Sequence, residues 1–229
     1  MTTPTQQNGP GAASVQAPAA EQRIDQAGAA EAGERRVAEI RRETKETQIV
    51  ARLDVDGTGK AEIATGIGFL DHMLDSLARH ARFDLAIQAM GDLHIDAHHT
   101  AEDVAIVLGQ ALDRALGAKK GLRRFADATV PLDEALVQVV VDLSGRGFAA
   151  VDVPFRGEMV GQLPTEMVPH FLRSFAIEGR LTLHARLLAG ENDHHRAEAT
   201  FKALARCLEL ATRRDPRIAD LVPSTKGAL

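Results

Sequence analysis

The chain has 229 residues, enough to bury a real core in one domain or two small ones. A formal net charge of −5 argues against a general nucleic-acid binder, and an aromatic share of 3%, with neither Trp nor Tyr, argues against base-stacking platforms. The single Cys207 excludes an intrachain disulfide framework. No apolar run approaches the roughly 18 residues of a membrane span and no secretory signal is visible, so a soluble cytoplasmic protein is expected.

Residues 1–35 are rich in Ala, Gln, Pro, Gly and Thr without an apolar period, and are expected to form a disordered extension. Ile49, Ala51, Leu53 and Val55 then alternate with a strand's period of two and end at the turn DGTGK. The following AEIATGIG is expected to return as the second strand of a hairpin. Phe69, Leu70, Met73, Leu74 and Leu77 recur at helical spacing, which places His72 on a helix beside an apolar stripe. DLAIQAMGDLHID reads as another strand or strand pair. Val104, Val107, Leu108, Ala111, Leu112 and Ala115 mark a long amphipathic helix ending near Gly117, with His98, His99 and Glu102 at its start.

The second half repeats this plan. PHFLRSFAIEGRLTL aligns with DHMLDSLARHARFDL, so His170 matches His72. HHRAEATFKALARCLELA aligns with HHTAEDVAIVLGQALDRA, so His194, His195 and Glu198 match His98, His99 and Glu102. The period is 98 residues from His72 to His170 and 96 from His98 to His194. The chain therefore divides into half-repeats at 36–128 and 129–229, each expected as an α+β unit with helices on one face of its sheet.

Adjacent histidines followed three residues later by a glutamate, written twice and accompanied by a third repeating histidine, form a specific metal-ligand pattern. A single histidine near a helix start is ordinarily a cap or a surface residue. Here six of the nine histidines sit at repeat-matched positions. With Glu102 and Glu198 they give eight donors, enough for two sites of three imidazoles and one carboxylate that suit a divalent first-row metal. Neighbouring helical residues point about 100° apart, so each HHxxE reads as a fork feeding two sites, completed by His72 and His170. The ligands can also be shared between chains. His80, His94 and His184 have no repeat partner and are assigned ordinary roles.

TKET, GFLDHML, HHTAED, DLSGR, PHFLRSFA, NDHHRAEATFKALA and PSTKG, in this order, resemble the imidazoleglycerol-phosphate dehydratase family from about residue 36 to the end. The resemblance implies two units with the fold of ribosomal protein S5 domain 2, a cubic homo-oligomer of 24 chains with sites between subunits, and two Mn²⁺ per active site. The ions would be held by His72, His98, His99, Glu102, His170, His194, His195 and Glu198. It implies conversion of D-erythro-imidazole-glycerol phosphate to imidazole-acetol phosphate and water in histidine biosynthesis. In that chemistry an imidazolate-like ring expels a hydroxyl to give a diazafulvene-type intermediate, and a base then removes a proton. Glu46, His72 and Glu198 would be catalytic. Substrate would touch Glu46, His72, His98, Arg124, Arg146, Lys202, Ser224 and Lys226, and the tail VPSTKGAL could close over it. Lys202 also lies one helical turn beyond Glu198 on the same face.

Three other readings compete. LDVDGT at 53–58 matches a phosphatase nucleophile motif, but a second strand follows where that fold needs a helix, so Asp56-Gly57 is read as a hairpin turn. Metal could instead merely hold a non-catalytic oligomer together. Cys207 could be a nucleophile, but it lies on an apolar helical stripe with no evident base.

Overall fold

The computed structural model describes residues 1–2 and 35–229, so the extension expected over 1–35 lies outside the described residues apart from its ends. The first unit contains β1 (Val37–Glu43), β2 (Thr47–Asp54), β3 (Ala61–Ala64), α1 (Gly68–Ala81), β4 (Asp84–Gly91) and α2 (His98–Leu116). The second contains β5 (Phe125–Leu132), β6 (Ala135–Asp142), β7 (Phe148–Asp152), the short pair β8 (Met159–Val160) and β9 (Leu163–Pro164), α3 (Met167–Glu178), β10 (Thr182–Ala189) and α4 (Asp193–Ala211). Their sheets run β1-β2-β4-β3 and β5-β6-β10-β7, the same order with the same single parallel pair at the edge. The duplication read in the sequence is thus a duplication of topology. Among the described residues, the β8–β9 pair and the 3-10 turn at Pro216–Ile218 lack a counterpart. β5 joins the second sheet from Phe125 onward.

One expectation is corrected. The segment after DGTGK does not fold back on β2 as a hairpin. β2 is flanked by β1 and β4, and β3 crosses over to pair in parallel with the far side of β4. The physical reason is Asp84, the first residue of β4. Its Oδ1 accepts the N–H groups of Thr58 (2.7 Å), Gly59 (3.1 Å) and Lys60 (3.1 Å), which draws the loop across the end of β4. Asp54, the would-be nucleophile, is buried with its Oδ2 2.6 Å from Arg35 Nε, a structural ion pair.

Strand alternation explains the layers. Ile49, Ala51 and Leu53 of β2, and Ala135, Val137, Val139 and Val141 of β6, turn one face of each sheet into the core. The helices cover those faces and meet each other across the units, α1 against α4 and α2 against α3. At the α2–α3 crossing, Gly109 has no side chain because a Cβ there would lie 2.7 Å from the Phe175 carbonyl oxygen and 2.8 Å from Gly179 N.

The Thr58 N–H, foremost among the donors, holds the Asp84 carboxyl below its ordinary range. A carboxyl so depressed stabilises the fold above its unfolded pKa, near 3.9, and the contribution is lost as pH falls through the lower folded value. Asp84→Ala should lower unfolding stability by about 1–2 kcal/mol at neutral pH. Denaturant titrations should show the difference from wild type closing in acid.

Candidate metal centre and active site

Both HHxxE segments open a helix. Asp96 Oδ1 accepts the His98 N–H (2.8 Å) at the start of α2, and the N-cap Asn192 accepts those of His194 (2.9 Å) and His195 (3.2 Å) at the start of α4. In each helix the first histidine and the glutamate stand four residues apart and share a face, while the second histidine turns aside.

The cross-unit helix packing adds a third donor to each face. His170 of α3 meets Glu102 of α2 at 2.9 Å (Nε2 to Oε1), and the His98 and His170 ring centroids are 4.8 Å apart. His72 of α1 and His194 of α4 both reach Glu198 Oε2, at 3.3 Å and 3.0 Å. The donor atoms of His98, Glu102 and His170 lie within 4.8 Å of one another, and so do those of His72, His194 and Glu198. Each cluster takes its lone histidine from one unit and its histidine–glutamate pair from the other. Two imidazoles and a carboxylate, without thiol, fit a divalent first-row metal and leave room for further donors.

Burial alone would raise the Glu198 carboxyl, but Lys202 Nζ, 2.6 Å from Oε1, and then His194 and His72 hold it down at about 2. The Glu198 carboxylate is therefore ionised and ready for a cation at neutral pH. Phe69 packs edge-on against the His194 ring, with centroids 5.1 Å apart, and keeps one side of this cluster apolar.

Of the eight expected ligands, six gather into these two clusters. His99 and His195 stand outside them. His99 Nδ1 is 3.0 Å from Asp92 Oδ2, and His195 Nδ1 is 2.7 Å from Glu134 Oε2. Those hydrogen bonds raise the pKa of both rings. Backbone N–H groups of Asn192 and Glu191, with His195, bring the Glu134 carboxyl down to about 2. Asp92 and Glu134 were not singled out in the sequence. The repeat could have pointed to Glu134, which stands in the turn before β6 as Glu46 stands in the turn before β2.

Glu46 is exposed in the β1–β2 turn. That turn is tied to α2 by a chain of hydrogen bonds. Asp103 accepts from Arg42 Nε (2.9 Å) and Thr47 Oγ1 (2.5 Å), and Thr44 Oγ1 accepts the Glu46 N–H (3.1 Å). Glu46 thereby comes close enough to His99 for its charge to help raise that ring's pKa.

Four of the residues expected to touch substrate, Arg124, Arg146, Ser224 and Lys226, gather elsewhere, whereas Lys202 stands beside Glu198. Arg124 pairs with Asp142 (2.7 Å) and donates to the Pro223 carbonyl (2.6 Å), which fastens the C-terminal tail beside it. Leu229 lies against Gly145, next to Arg146, and Ser224 Oγ accepts the Lys226 N–H (3.2 Å). The tail is thus docked at the Arg124–Arg146 end of the second sheet. Glu134 and His195 mark the opposite end of the β5–β6 hairpin, and eight residues at roughly 3.3 Å each put about 26 Å between them. Within one chain, Arg124 and the metal cluster of α4 do not meet.

A model of the family described as imidazoleglycerol-phosphate dehydratase matches residues 65–208. The imidazoleglycerol-phosphate dehydratase of Granulibacter bethesdensis is 59% identical over 194 residues, covering 85% of this chain and 99% of the relative. That of Roseiflexus sp. is 58% identical over 194 residues, covering 85% and 98%. Among solved structures, the Staphylococcus aureus enzyme superposes with a TM-score of 0.71 at 37% identity, covering 78% of this chain and 99% of that one. The Pyrococcus furiosus enzyme superposes with a TM-score of 0.71 at 38% identity, covering 83% and 100%.

Thiol chemistry has no place in this site. Cys207 is fully buried in α4, its Sγ 3.1 Å from the Val139 carbonyl oxygen, and burial pushes the thiol up to about 12. A thiol-reactive chromophore should leave Cys207 unmodified in the folded protein and label it fully in denaturant. Cys207→Ala should keep wild-type metal binding, at a core-truncation cost of about 1 kcal/mol.

Proposed function

Because the chain belongs to the imidazoleglycerol-phosphate dehydratase family, hydro-lyases of histidine biosynthesis, we propose that it dehydrates D-erythro-imidazole-glycerol phosphate with two Mn²⁺ ions per active site. The observation that carries this reading is the crossed pair of clusters, each a histidine–glutamate pair from one half-repeat met by a histidine from the other. Ions held there supply Lewis acidity to the substrate's imidazole ring.

His98, Glu102 and His170 would hold one ion, and His72, His194 and Glu198 would hold the other. His99 and His195, whose Nδ1 atoms are engaged, offer Nε2 to complete the coordination, including that of a neighbouring copy. His72, Glu198 and His98 flank the ring and fix its plane. Lys202 keeps Glu198 ionised. The hydroxyl on the carbon beside the ring would leave as water with the proton given up by the ring N–H, as ring electrons move out to form a diazafulvene-type intermediate. The next carbon then gives up its proton, the ring becomes aromatic again, and the enol so formed tautomerises to the ketone. Glu46 carries that proton, since its carboxylate makes no hydrogen bond or ion pair among the described residues.

Arg124, Arg146, Ser224 and Lys226 grip the phosphate. Their distance from the α4 cluster within one chain supports a site assembled between subunits, in a homo-oligomer of 24 chains. The open face of the second sheet supports association too. Phe125, Val140 and Phe148 stand on it with 60%, 41% and 53% of their surface exposed. A cytoplasmic location accords with the described residues, where no helix is long and apolar enough to cross a membrane.

A metal site serving assembly alone has no use for a free glutamate anchored beside it. Turnover of imidazole-glycerol phosphate separates the two readings. Metal-stripped wild type should be inactive and recover with Mn²⁺, whereas His98→Ala/His194→Ala should stay at least 10³-fold slower at any Mn²⁺ concentration. No turnover with any divalent ion, alongside a metal-dependent change in assembly size, would establish the structural role.

A further inference from the structure

The two half-repeats do not hold their second histidines in the same way. Glu46 immediately precedes the first residue of β2 and Glu134 immediately precedes the first residue of β6, so the two glutamates occupy equivalent turns. Glu134 is fully engaged: Oε1 accepts the backbone N–H groups of Glu191 (3.1 Å) and Asn192 (2.8 Å), and Oε2 accepts from His195 Nδ1 (2.7 Å). Glu46 has no such engagement, because His99 is held from another place. Asp92, the residue directly after β4, takes its Nδ1. The matching position after β10 is Gly190, which has no side chain to offer. Asp92 also keeps its second oxygen, Oδ1, buried without a hydrogen-bond partner among the described residues, so its one hydrogen bond to a side chain is the one to His99.

We propose that Asp92 and Glu134 are positioning residues that orient His99 and His195 as metal donors through Nε2, and that Asp92 has taken this task in the first half-repeat, leaving Glu46 free for substrate. The inference rests on the metal reading given above. An ionised carboxylate can only accept, so each ring, when neutral, donates from Nδ1 and presents an unprotonated Nε2. Carboxylate partners of ligand histidines commonly fix tautomer and ring plane in this manner. The exchange of positions follows from the folds of the two turns. Where Asp92 reaches the ring, the turn glutamate is not needed there. Where Gly190 leaves a gap, the turn glutamate fills it.

Glu134→Gln separates orientation from loop bracing. Its amide oxygen can still accept the Asn192 and Glu191 N–H groups, but its NH₂ then faces His195 Nδ1 and forces the proton onto Nε2. Mn²⁺ affinity is measured by chelator competition on metal-stripped protein, with bound ions counted by atomic emission and metal-free thermal unfolding recorded alongside. Glu134→Gln and Asp92→Asn should each weaken Mn²⁺ binding about 10- to 100-fold, with turnover recovering at high Mn²⁺, and Glu134→Asp should restore part of the affinity. Glu46→Gln should bind Mn²⁺ within about twofold of wild type and lose turnover at every Mn²⁺ concentration. Wild-type affinity in Glu134→Gln, whether or not its thermal stability falls, would make Glu134 a loop brace and overturn the inference. An affinity loss in Glu46→Gln as large as in Asp92→Asn would overturn the division of labour. Wild type that binds no Mn²⁺ would overturn the metal reading itself, and this inference with it.

Discussion

The structure depends on helices that belong to different half-repeats packing against each other. α1 meets α4 and α2 meets α3, and the second contact is close because Gly109 lets backbone approach backbone. This packing closes the core between the two sheets. It also sets the distance at which an imidazole on one helix faces a histidine–glutamate pair on another. A shift of a single ångström at the crossing would separate His170 from Glu102, now 2.9 Å apart. Stability and site geometry are therefore one constraint, and the apolar residues of α2 and α3 act on the chemistry without touching it.

Around these crossings the electrostatics are arranged in tiers. Carboxylates inside the clusters, Glu102 and Glu198, face imidazoles directly. A second tier, Asp92 and Glu134, faces the outer nitrogens of the neighbouring rings. A third, Asp103, is buried and holds the turn that carries Glu46. Each acid is matched to donors with fixed geometry, so little reorganisation is left for the moment a cation or substrate arrives.

Much of this was legible in the sequence, for identifiable reasons. The doubled HHxxE and the matched His72 and His170 gave the repeat and six donors that come together, because helical spacing is rigid over four residues. Partnership across the repeat was not legible, since nothing in the spacing says that His72 meets Glu198 rather than Glu102. The β2–β3 connection misled for a related reason. Asp-Gly is a local turn signal, but the loop's path is decided by Asp84, 26 residues beyond Thr58. Asp92 and Glu134 escaped notice because a carboxylate that orients a ligand needs only proximity in space. Arg124 and Arg146 rest on family resemblance, and the fold places them together at the tail without bringing them to the α4 cluster of their own chain.

The crossed origin of the clusters also bears on how such a chain could arise. One half-repeat alone supplies a lone histidine and a histidine–glutamate pair on helices that do not build a cluster together. A half-length ancestor could have assembled three donors only by pairing with a second copy, and a symmetric pair would have carried two identical clusters. A single chain need not keep that identity: here one turn glutamate is settled against a ring while its twin is open to solvent, and the two pockets are unequal.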